Sequence, residues 1–175
     1  MNLKNNIFTA LLLAIGFILH QITPGLFGGM KFDFLLSFIF ISLLINPSFK
    51  NTILTGLLGG LLSSITTTFP GGQIPNIIDK LVTCILLYIV IKLFKHFNFN
   101  FNTLIIGFIS ALGTIISGSV FLLSALLIIG LPAPFTMLLI TVVLPTTLIN
   151  TVVTTFIYKI TKHAMNISGL NLRQL

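Results

Sequence analysis

Apolar runs follow one another along this chain, each several helical turns long and separated by only a few polar residues. That alternation decides the fold class before any motif is considered. Backbone N–H and C=O groups placed in lipid must be satisfied within their own segment, so runs of this kind resolve into helices packed in a bilayer. A soluble domain would need about a quarter of its residues charged to cover its surface. Here 6% are charged and 55% are hydrophobic. The sequence predicts an all-α, multi-pass integral protein of the cell membrane, with residues 1–175 forming one domain.

Six runs are expected as transmembrane helices: residues 7–22, 32–45, 52–66, 77–94, 103–131 and 135–160. The first, with Lys4 in front of it, has the look of a signal-peptide core. No small-x-small cleavage pattern follows, so it reads as a retained helix. Six crossings put both termini on one side. With both termini cytoplasmic, Lys4, Lys50, Lys92, Lys95, Lys159, Lys162 and Arg173 face inward and only Lys31 and Lys80 face outward, as the positive-inside rule requires. The loops at residues 25–31, 66–80 and 131–134 then lie outside. The first three runs are shorter than the roughly 20 residues that a full crossing needs. Their outer ends therefore require polar backbone that is buried in protein or lines a cavity.

Several function classes drop out. The net charge of +7 comes from Lys and Arg residues scattered singly between apolar runs, with no basic stripe for nucleic acid. Two carboxylates, three His residues and one Cys offer no HExxH, no CxxC, no phosphate-binding loop with Lys and no nucleophile elbow. Neither an enzyme nor a metal or cofactor site is expected.

What polarity there is gathers at residues 66–80, which offer three Thr hydroxyls, Phe69, Pro70, Gly71-Gly72, Gln73, Pro75, Asn76 and the pair Asp79-Lys80. The two prolines predict an interruption of helix here. Such a stretch is either a solvated connection or a ligand site, and in the second case a pocket wall or a lid. The only two acids, Asp33 and Asp79, each have a cation beside them in sequence, Lys31 and Lys80. A zwitterionic amino acid needs an acceptor for its ammonium and a donor for its carboxylate, and these four residues supply full charges of both signs. Helix capping with local pairing is the competing role for both acids. Phe69, Phe32 and Phe34 flank the charges and suit a flat aromatic ligand. Asn150, five residues after Pro145 within an apolar run, is costly in lipid and belongs in the interior, binding ligand or bridging helices. His20 stands near the outer end of the first helix, where a structural role competes with a place in the cavity.

Small residues recur four apart: Ala10 with Ala14, Gly56 with Gly60, Gly107 with Ala111 and Gly113 with Ser117. Such spacing lets helix backbones approach closely, either within the chain or against a partner.

Four segments together resemble the bacterial tryptophan transporter family. They are Ala10-Leu11-Leu12-Leu13-Ala14, Gly29-Met30-Lys31-Phe32-Asp33, the run from Thr66 to Lys80, and Val143-Leu144-Pro145-Thr146-Thr147-Leu148-Ile149-Asn150. The family is itself similar to the substrate-binding S components of energy-coupling factor (ECF) transporters. Phe32 stands where the family often has Pro. The resemblance implies a six-helix capture subunit for tryptophan, with an outward-facing pocket. Lys31, Asp33, Asp79 and Lys80 would engage the zwitterion, Phe69 and Gln73 the indole, and Asn76 or Asn150 would orient it. Ala10 and Ala14 would dock on an ECF transmembrane coupling protein driven by two cytosolic ATPase subunits. Two other readings stand beside it: an S component for another aromatic compound or vitamin precursor, and a passive channel or structural membrane protein.

Overall fold

The computed structural model describes residues 3–25 and 29–167. Arg173 and residues 26–28 of the expected loop 25–31 lie outside the described residues, as does the side chain of Lys4. Helices α1 (Leu3–Ile22), α2 (Phe34–Ile45), α3 (Phe49–Thr66), α4 (Gln73–His96) and α5 (Thr103–Ile128) precede a composite rod. That rod is built from a short turn of helix α6 (Phe135–Leu138), a π-helical segment (Leu139–Val143) and α7 (Leu144–Ile167).

Local chemistry sets these boundaries. Asp33 caps α2, its Oδ1 accepting the Leu36 N–H at 3.1 Å. Ser48 and Asn102 cap α3 and α5 in the same way. Asn46-Pro47 ends α2, because a residue before proline is pushed out of the helical region. The fourth helix begins earlier than residue 77: α4 opens at Gln73 and takes Pro75 into its first turn. Proline is tolerated there because an N–H at that position has no intrahelical acceptor to lose. The wide π turn stands directly before Pro145, whose ring crowds the carbonyl four residues back. Thr146 and Thr147 donate to the Val142 and Val143 carbonyls at 2.6 and 2.8 Å, so the acceptors loosened by that turn stay satisfied.

α2 forms the centre. Every residue from Leu35 to Ile45 is buried, and α1, α3, α4, α5 and α7 all pack on it. A helix that is apolar on all sides belongs in such a place. Gly56 and Gly60 seat α3 on α4; a Cβ at Gly60 would lie 2.9 Å from the Ile77 Cα. The helices run antiparallel in sequence order. Thr9, Ser42 and Asn51 therefore meet at one end of the bundle, and His20, Asp33, Thr66 and Lys80 at the other.

The expectation of six transmembrane helices is corrected. Among the described residues three helices are long and apolar enough to cross a membrane: Asn5–Ile22, Thr103–Ile128 and Phe135–Met165. α2 has 12 residues, which rise only about 18 Å against a hydrocarbon core of about 30 Å. α3 is diluted by Lys50, Asn51 and its Thr, Ser and Gly residues, and α4 carries Asp79, Lys80, Lys92 and Lys95. The placement of both termini in the cytoplasm rested on six crossings and falls with them. The protein remains an all-α, multi-pass protein of the cell membrane.

Candidate functional site

The end of the bundle at Asp33 holds an open-mouthed cavity, with about 570 Å³ of space between its walls when the solvent at the mouth is included. Its lining comes from every part of the bundle: His20 of α1, Gly29, Met30 and Lys31 of the following loop, Asp33 and Leu36, then Thr67, Thr68 and Phe69 beyond α3. Asn76, Asp79 and Lys80 of α4, Thr114, Ser117, Gly118 and Phe121 of α5, Val142 and Val143 of the π segment and Thr146 of α7 complete it.

The charges form a cluster in its wall. Lys80 is 1% exposed, and its Nζ lies 2.6 Å from Asp33 Oδ2 and also contacts the Asp79 carboxylate. Asp79 Oδ1 accepts the Thr83 hydroxyl at 2.9 Å, and Ser117 adds a further hydrogen bond. Burial of this kind is tolerable only for charges that are paired and hydrogen-bonded. Burial pushes the Asp33 carboxyl up, but Lys80, His20 and the Leu36 N–H outweigh it and hold the group below the usual carboxylate range. Asp33 therefore does two jobs at once: it caps α2 and it anchors a buried lysine from α4.

Lys31 stands apart from this pairing. Its ammonium donates to the His20 carbonyl at 2.6 Å, at the C-terminal end of α1, where cations are favoured. Desolvation lowers its pKa, and Asp33 partly opposes the shift. The sequence pairs Lys31 with Asp33 because the two are neighbours; in the fold the basic groups nearest Asp33 are the Lys80 ammonium and the His20 ring. The His20 ring is fixed through Nδ1 on the Thr66 hydroxyl at 2.6 Å, with Nε2 at 3.8 Å from Asp33 Oδ1.

Phe69 is buried in the cavity wall and meets Phe121 edge-to-face, centroids 5.4 Å apart. Asn76 lines the cavity while its amide donates to the Gly72 carbonyl at 2.7 Å. Asn150 lies behind the lining. It donates to the Asp33 carbonyl at 3.1 Å and stands 3.5 Å from the Thr114 hydroxyl, and its own Oδ1 has no partner. Gln73 is exposed on the first turn of α4 and does not line the cavity, nor do Phe32 and Phe34. Ala10 and Ala14 are exposed on α1 beside Leu11, Ile15 and Ile18.

Sequence reasoning missed Phe121, Met30 and the Val142–Val143 wall. Phe121 had a usable signal: it follows Ser117 by four residues and so shares its helix face. The π turn that presents Val142 and Val143 left no periodic signature.

Comparison with known proteins extends over nearly the whole chain. The model of the family described as "Tryptophan transporter TrpP" matches residues 2–166. A probable tryptophan transport protein of Clostridium acetobutylicum is 51% identical over 168 residues, covering 95% of this chain and 96% of that protein. Proteins of the same description from Clostridium perfringens and Bacillus subtilis are 40% and 44% identical, covering 97% and 91% of this chain and 100% and 91% of their own lengths. No solved structure matches. The chain is thus a membrane transport protein rather than an enzyme, and it belongs to the TrpP tryptophan transporter family.

Proposed function

We propose that this cavity captures tryptophan from outside the cell, and that the chain is the substrate-binding subunit of an ECF-type transporter. The observation that carries the reading is the buried Asp33–Lys80–Asp79 cluster lining the same cavity as Phe69 and Phe121. Asp33 of this cluster and Lys31 of the same lining are charges of opposite sign, which suits a zwitterion, and the aromatic wall suits an indole. Lys31 adds a cation at the loop side, Asn76 shapes the wall, and Asn150 holds the Asp33 backbone in place.

An outward opening is supported by charge distribution. Lys50, Lys92, Lys95, Lys159 and Lys162 belong to the helix ends remote from the cavity, and cytoplasmic segments favour such residues. Coupling to an ECF module is supported by two features: the sequence has no phosphate-binding motif of its own, and Ala10 and Ala14 present a small exposed face on α1. That face suits close packing against a transmembrane coupling protein powered by two cytosolic ATPases.

The direct test is titration of the purified chain with tryptophan. The chain has no Trp, so indole emission reports the ligand alone. Saturable binding is expected, and a flat titration rejects the substrate. Docking is tested separately by Ala14→Leu, which should abolish ATP-driven uptake in the presence of coupling subunits while tryptophan still binds. Unimpaired uptake by that variant removes the docking role.

A further inference from the structure

The charge cluster is lopsided, and the imbalance has a consequence for which end of a ligand it holds. Two carboxylates, Asp33 and Asp79, share one ammonium, that of Lys80. His20 offsets the excess only when its ring is protonated. Lys31, the other cation of the lining, keeps its charge and balances the lining as a whole, but its ammonium donates to the His20 carbonyl.

The two carboxylates are not equally available. Asp79 is enclosed: its side chain is 1% exposed and its oxygens are taken by Lys80, Thr83 and Ser117. Asp33 is 17% exposed and keeps accepting capacity at Oδ1, whose partners are the Leu36 N–H at 3.1 Å and His20 Nε2 at the longer 3.8 Å. A carboxylate has about four lone-pair sites. Lys80, by contrast, is 1% exposed with its ammonium turned into the two acids, so it offers little to a ligand anion.

Resting on the reading of this cavity as the ligand site, we infer that its primary determinant is a cationic amine. Asp33 Oδ1 receives the ligand ammonium, whose charge offsets the local excess of the Asp33–Asp79–Lys80 cluster. The ligand carboxylate lies toward Lys31 and contributes less. The substrate class is therefore aromatic primary amines, with amino acids as members, rather than aromatic acids. Asp33 is the specificity-determining residue, and Asn150 positions it through the Asp33 carbonyl.

The test is competition against labelled tryptophan on the full-length chain by two probes. Tryptamine lacks the carboxylate, and indole-3-propionate lacks the ammonium. Tryptamine should compete within about tenfold of unlabelled tryptophan, and indole-3-propionate should be weaker than tryptamine by about 10- to 100-fold, the worth of a hydrogen bond to a charged group. The reverse order overturns the inference. Asp33→Asn preserves the N-cap, since Asn caps as well as Asp, and should weaken tryptophan and tryptamine alike by about 10- to 100-fold. Unchanged tryptamine binding by a normally melting Asp33→Asn protein also overturns it. If that variant does not fold, the order of the two probes on the parent chain decides alone. If labelled tryptophan does not bind at all, the proposed substrate fails. Thermal stabilisation by each probe then decides the inference: tryptamine above indole-3-propionate sustains it, and any other result ends it.

Discussion

The two ends of the bundle each bury a polar cluster, and they do so in opposite ways. At the end remote from the cavity, Asn51 accepts from the Thr9 hydroxyl at 3.3 Å and donates to the Asn46 and Ser42 carbonyls at 2.8 and 3.3 Å. The Ser42 hydroxyl bonds Thr9 at 3.0 Å and lies 3.3 Å from the Thr55 hydroxyl. That cluster has no charge and ties α1, α2 and α3 together. At the cavity end the same helices, joined by α4, hold two carboxylates on one ammonium, with accepting capacity left at Asp33. Buried polar groups cost free energy unless their partners are complete. The remote cluster meets that condition with protein alone, which is what a structural tie requires. The cavity cluster leaves accepting capacity at Asp33 Oδ1, which is what the proposed binding role requires.

The largest expected effect comes from removing the shared cation. Lys80→Met fills similar space but leaves Asp33 and Asp79 buried without it, and breaking a buried pair from one side costs about 3–5 kcal/mol. Thermal unfolding of the purified protein should show a large fall in stability together with loss of tryptophan binding. A Lys80→Met protein that melts like the parent would mean that the carboxylates are not held as charges, and the contrast between the ends would collapse. Asn51→Ala should be milder, about 1–3 kcal/mol, from acceptors left without a donor. Its signature is separation: the folded fraction should bind tryptophan as the parent does. Lost affinity at unchanged stability would show the remote end to be coupled to the cavity.

The same contrast explains what was legible in the sequence. Asp79 and Lys80 could be paired from sequence because they are adjacent. Asp33 with Lys80 could not: the pair joins the cap of α2 to α4 within the cavity wall, and Lys31 competed for the assignment by mere proximity. Gln73 and Asn76 looked equivalent in a polar stretch. Once α4 opens at Gln73, that residue stands exposed at the helix end, while Asn76, a turn further in, is buried in the cavity wall. The number of crossings failed for a related reason. Hydropathy registers apolarity but not what the apolar side chains touch, and α2 is apolar because other helices surround it. The all-α membrane class survived because it depends only on that apolarity.

The aromatic wall gives the smallest and most selective test of the cavity end. Phe69 reaches the cavity from the loop after α3 and Phe121 from α5, and their edge-to-face contact joins the two. Phe69→Leu keeps an apolar side chain there and removes the ring interaction, worth about 0.5–1.5 kcal/mol beyond buried area. Tryptophan affinity should fall by about two- to tenfold, with little change at the charged cluster. Phe121→Leu should do the same. If the two rings act as one surface toward the indole, the double variant should lose less than the sum of the singles, since neighbouring residues rarely add. Strict additivity would mean that each ring meets the ligand independently. No loss in either single variant would leave the charged groups of the lining, Asp33 first among them, as the whole of the recognition at this end.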